Sequence, residues 1–162
     1  MDNSKRGVIA SSLSLSGGQG KTLTTYVLGL RVSTLEMPTL LVDSDPQKNL
    51  TDLLGVEIPP RHPTLLEVLK GDVSIEDAVY PVPERENLFL VPADRALVNA
   101  QYYLASLSNS AYVLSKRLEP VLQDFKLVII DTPPQKSHLV LTAIGASDVV
   151  VIPSEVAAKG IA

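Results

Sequence analysis

Residues 16–22 read Ser-Gly-Gly-Gln-Gly-Lys-Thr, a glycine cluster set between a β-prone stretch at residues 8–15 (VIASSLSL) and a helix-spaced segment that starts at Lys21. Gly17, Gly18 and Gly20 allow backbone angles barred to other residues and let successive amides approach an anion with no Cβ in the way. Strand, loop and helix in that order wrap N–H groups around a phosphate and aim the positive end of the helix dipole at it. Lys21 then contacts the β- and γ-phosphates, the Thr22 hydroxyl ligates Mg²⁺, and the cradle runs through Ser16, Gly17, Gly18, Gln19, Gly20, Lys21, Thr22 and Leu23. The usual spacing, G-x-x-x-x-G-K-[ST], is not met, because its first glycine would fall at Leu15.

The remainder alternates strand-like and helix-like segments. Leu23, Tyr26, Val27 and Leu30 recur at i, i+3, i+4 and i+7, which predicts a helix from Lys21 to about Glu36 that buries this stripe. Apolar strands follow at residues 39–42, 87–91, 126–132 and 148–153, the last expected to be buried. Short helices are expected at 49–54, at 64–70 with Thr64 as cap and Gly71 as stop, twice within 95–123, and at 137–146. Strands apolar on both faces and separated by helices predict an α/β fold: a mostly parallel twisted sheet with helices on both faces, in one domain spanning 1–162.

Composition removes whole classes of chemistry. There is no cysteine, so disulfides, thiolate metal sites, Cys-ligated clusters and cysteine nucleophiles are excluded. His62 and His138 are far apart and form no metal-binding pair, and both read as surface or helix-flank residues. Tyr102, Tyr103 and Tyr112 have the helical spacing of packing residues, and Lys116 with Arg117 reads as a solvated helix end. A net charge of −4 announces no nucleic-acid or anionic-membrane binder. The apolar runs fall far short of a membrane span, and a cytoplasmic location is expected.

Three motifs in order carry a resemblance. The glycine loop, LLVDSDPQKNLTDLLG at residues 40–55 and KLVIIDTPP at residues 126–134 resemble the ParA/MinD family of deviant Walker-box ATPases, and the likeness extends into LFLVPADRAL and DVVVIPSE. The resemblance implies a P-loop fold that usually continues beyond the region present here. It also implies a Mg-ATP-dependent homodimer, non-specific binding to nucleoid DNA, and a cargo adaptor that stimulates hydrolysis. Asp131 then matches the Walker B aspartate that holds the Mg²⁺ shell, Asp43 the residue that supports the metal through water, and Asp45 the one that positions or activates the attacking water. Pro133-Pro134 forms either a loop responsive to the γ-phosphate or a stiff turn.

The family's signature lysine, which reaches across the dimer, aligns with Ser16, which brings no charge. This loss resembles the McdA type, which spaces carboxysomes over the nucleoid. Lys159, a few residues beyond the strand at 148–153, is the candidate to supply the missing charge, with Lys48 and Lys136 as competitors. The alternatives from other classes are a metabolic ligase of the dethiobiotin-synthetase type, against which D-x-D-P-Q argues, and a nucleotide-binding module that has lost hydrolysis.

Overall fold

The computed structural model describes residues 6–14, 18 and 20–154. Among the described residues six strands form one sheet: β1 (Val8–Ser12), β2 (Thr39–Asp43), β3 (Tyr80–Pro81), β4 (Leu88–Val91), β5 (Leu127–Asp131) and β6 (Val149–Val151), in the order β3-β4-β2-β5-β1-β6. All neighbours pair in parallel except β3, a two-residue antiparallel edge that sequence periodicity does not reveal. The described α-helices that connect them are α1 (Lys21–Ser33), α2 (Asn49–Leu54), α3 (Leu65–Lys70), α4 (Val98–Ala105), α5 (Val113–Leu118) and α6 (His138–Ala146).

Local chemistry sets the ends of these helices. Thr64 caps α3 in a reciprocal capping box with Glu67, Ser137 accepts from Val140 at the start of α6, and Gly55 and Gly71 close α2 and α3 in the left-handed region. Two cores flank the sheet. On one face Leu40, Val42, Val128 and Ile130 pack with α3, α4, α5 and α6; on the other Leu41, Leu88, Leu90 and Ile129 pack with Leu50 and Leu54 of α2 and with Tyr26 and Leu30 of α1.

Helix α1 follows the expected stripe only in part. Leu23 and Val27 are exposed, Tyr26 and Leu30 are half-buried, and the buried positions are Lys21, Thr25, Gly29 and Ser33. Small residues win because the helix lies close against β2: a Cβ at Gly29 would stand 2.7 Å from Leu41 Cδ2. The expected burial of the last strand also fails. Among the described residues β6 pairs with β1 alone, and Val149 and Val150 are exposed. Tyr102 and Tyr112 are exposed rather than packed, while Tyr103 lies against the core. Arg117 is half-buried, its guanidinium beside Gly71 at the end of α3, whereas Lys116 is exposed.

Candidate functional site at the carboxyl ends of the strands

Parallel strands bring their carboxyl ends to one edge, and here β1, β2 and β5 deliver Ser12, Asp43 and Asp131 in direct register. The loop after β1 reaches α1 through Gly18 and Gly20, with φ of +76° and +75°, values that favour glycine. An added Cβ at either glycine would meet nothing within 4 Å, so the space beside the loop is open. Lys21 opens α1 as a buried residue. Ser16, Gly17, Gln19 and Lys159 lie outside the described residues.

Thr22 donates from Oγ1 to Asp131 Oδ2 at 2.7 Å. Asp131 is 1 % exposed, and among the described residues its Oδ1 has no hydrogen-bond partner. Burial pushes its pKa up to about 7; the charges of Asp43 and Asp45 add to this, and the Thr22 hydroxyl and the Lys21 charge oppose it. A buried carboxylate oxygen without a partner is costly, and a cation offsets that cost. Among the described residues no three His, Cys, Asp or Glu side chains gather to hold a metal alone. Mg²⁺ does not require such a cluster, since it binds through one or two carboxylates, waters and substrate phosphates, and Thr22 with Asp131 fits that donor set.

The turn after β2 is tied down at several points. Ser44 donates to the Asp131 carbonyl from both its amide, at 2.9 Å, and its hydroxyl, at 2.6 Å. Asp43 Oδ1 accepts from the Asp45 amide at 3.1 Å, and Asp43 Oδ2 accepts from the Thr51 amide at 2.9 Å and the Thr51 hydroxyl at 2.8 Å. Burial nevertheless raises Asp43 to about 6, against the pull of those donors. Asp45 Oδ1 accepts from the Gln47 amide at 2.9 Å. Across the sheet, Thr132 donates to the Ser12 carbonyl at 2.6 Å, which fixes the end of β5 to the start of the glycine loop.

These elements enclose a cleft of about 310 Å³ lined by Gly18, Gly20, Lys21, Thr22, Leu23, Asp45, Asn49, Thr132 and Pro134. The cleft thus brings Asp45 to the loop residues, and the hydrogen bonds bring Asp43 and Asp131 beside it. Asn49, Ser44 and Thr51 join the site without having been singled out; their signal is their place inside residues 40–55. Lys48 forms an ion pair with Asp52 on α2, and Lys136 is exposed. A larger cleft, about 610 Å³ between Gly55 and Pro83, contains none of the glycine-loop residues and none of Asp43, Asp45 and Asp131.

Residues 8–162 match a family model described as an AAA domain. The chain is 47% identical over 148 residues to maintenance of carboxysome distribution protein A of Gloeothece citriformis, covering 91% of this chain and 57% of that protein. It is 36% identical to the chromosome partitioning protein ParA of Myxococcus xanthus, covering 85% and 48%. The chain belongs to the ParA/MinD family of deviant Walker-box ATPases. An ATP complex of Cyanothece McdA carrying an Asp-to-Ala substitution superposes on this ParA/MinD-family chain with a TM-score of 0.91 at 44% identity, covering 96% of this chain and 59% of that one. Cobyrinic acid a,c-diamide synthase from Mycobacterium smegmatis, with an ATP analogue and magnesium, gives 0.86 at 32% identity, covering 96% and 63%. The P-loop architecture is therefore common to both, and this member of the family spans a little under three fifths of the carboxysome relative's length. Among the described residues no helix is long and apolar enough to cross a membrane.

Proposed function

We propose that this chain carries the nucleotide-binding part of a Mg-ATP-dependent ATPase that dimerises on ATP and positions or partitions cargo inside the cell. The observation that carries this reading is the Thr22–Asp131 pair beside an open glycine loop, with Asp131 Oδ1 buried and unpartnered among the described residues. In this reading the amides of residues 16–23 and the Lys21 ammonium hold the β- and γ-phosphates, and Thr22 and Asp131 hold Mg²⁺ with Asp43 behind them. A magnesium ion held by these residues would draw charge from the phosphate oxygens. Asp45, steadied by the Gln47 amide, orients the attacking water. Lys159 of the partner subunit supplies the positive charge that Ser16 lacks.

Family membership, and relatives named for carboxysome distribution and chromosome partitioning, support the wider cycle. In that cycle the ATP dimer binds nucleoid DNA without sequence preference, in the cytoplasm, and a cargo adaptor stimulates hydrolysis and release. Steady-state hydrolysis with and without plasmid DNA and a candidate adaptor tests it. Turnover should depend on Mg²⁺, rise with the adaptor and vanish in Lys21→Ala. Turnover that requires a small carboxylic acid, and ignores both DNA and adaptor, would overturn the positioning role in favour of a metabolic ligase.

A further inference from the structure

Thr51 sits on α2 at 3 % exposure, eight residues after Asp43, and both its hydrogen-bonding groups face the site. Its amide and hydroxyl converge on Asp43 Oδ2 at 2.9 and 2.8 Å, and its Oγ1 accepts the Ala93 amide just beyond β4 at 3.1 Å. The hydroxyl's proton is committed to Asp43 and a lone pair to Ala93, so the side chain has one orientation. The relay continues on the other side, where Asp43 Oδ1 receives the Asp45 amide. The turn carrying Asp45 is thus pinned at two points: Ser44 on the Asp131 carbonyl, and the clasp between Asp43 and Thr51.

We propose that Thr51 is a positioning residue that, through Asp43 and the tie to Ala93, holds the Asp45 carboxylate where it can direct the attacking water. The proposal rests on the ATPase reading above. Removing the hydroxyl leaves Asp43 with one fewer donor and the buried Ala93 amide without its acceptor. The turn then loosens while the glycine loop keeps every contact, so the chemical step suffers and nucleotide affinity does not.

The test uses the full-length protein and compares Thr51→Val, Thr51→Ser, Asp45→Ala and the Thr51→Val/Asp45→Ala double variant. In Thr51→Val single-turnover hydrolysis should fall at least about tenfold with the Kd for Mg-ATP within about twofold of wild type, and Thr51→Ser should recover to within about threefold. Amide exchange at Ala93 should accelerate in Thr51→Val and return to normal in Thr51→Ser, a readout independent of turnover. Because Thr51 acts through Asp45, the double variant should be no slower than Asp45→Ala alone. If Thr51→Val does not fold, Thr51→Cys, a weak donor of similar size, takes its place. A Thr51→Val rate equal to wild type, a serine variant no better than valine, or a double variant well below Asp45→Ala overturns the proposal and leaves the ATPase reading standing. Absence of Lys21-dependent turnover in the wild type overturns both.

Discussion

Asp131 keeps a proton to a pH at which an exposed aspartate has long lost it. Its folded value of about 7 lies above the ordinary 3.8, so between those values the native state binds a proton that the unfolded chain has released. Stability of the nucleotide-free, Mg-free protein should therefore decline as pH rises through that window. Asp43, raised to about 6, contributes with the same sign, so the diagnostic comparison is between variant and wild type. Asp131→Asn should be more stable than wild type at pH 8 by on the order of a few kcal/mol, with the gap closing towards pH 4, as read by urea unfolding. Equal gaps at both pH values would remove Asp131 as the titrating group. Asp45 lies in the cleft with its anchor on the following turn, and the proposed function gives it a chemical role. Asp45→Ala should retain Mg-ATP with near wild-type affinity and slow hydrolysis by about 10²-fold or more; normal turnover would exclude it as the water-orienting group.

The α1–β2 contact depends on an absence of side chain. Gly29 lets the helix rest on Leu41, which is fully buried and whose side chain would have to shift for any Cβ at position 29. Gly29→Val should destabilise the fold by about 1–3 kcal/mol through overpacking and displace α1, whereas Val27→Ser on the outer face should stay within about 0.5 kcal/mol. Denaturant midpoints of the two variants provide the check, and a larger loss from Val27 would restore the apolar stripe as the inward face. Because Lys21 and Thr22 form the first turn of α1, a shift of this helix also disturbs the phosphate site. Under the proposed function, Gly29→Val should therefore also lower nucleotide affinity through the placement of an entire element.

For the molecule as a whole, ligand and fold are coupled by mass action. Mg-ATP at about 100 times its Kd should stabilise the native state by about 2.7 kcal/mol, visible as a rise in Tm that disappears with a chelator and in Lys21→Ala. An equal rise in Lys21→Ala would place the nucleotide elsewhere. The proposed ATP dimer is tested in the full-length protein. There Lys159→Ala should weaken the ATP-dependent dimer in sedimentation and slow hydrolysis, and an unchanged dimer and rate would pass the role to Lys48 or Lys136. Lys48 is the weaker of those two, since it is held by Asp52.

The phosphate loop, the two acidic strand ends and the α/β class were legible in the chain because each depends on local chemistry: glycines that free the backbone, a Lys-Thr pair at a helix start, and strands apolar on both faces. Capping at Thr64 and the stop at Gly71 were legible for the same reason, since side chain and backbone lie within a few residues of each other. Periodicity misjudged α1 because it registers hydrophobicity and not distance, and the close approach of Gly29 to Leu41 exists only once β2 is in place. It missed β3, two residues held by pairing with β4, and it took β6 for a buried strand, whereas among the described residues β6 pairs on one side alone and Val149 and Val150 are exposed. Thr51 was invisible as a site residue for the same physical reason. Its hydroxyl joins Asp43 to Ala93, 8 and 42 residues away along the chain, and a bond of that kind is created when parallel strands bring their ends to one edge.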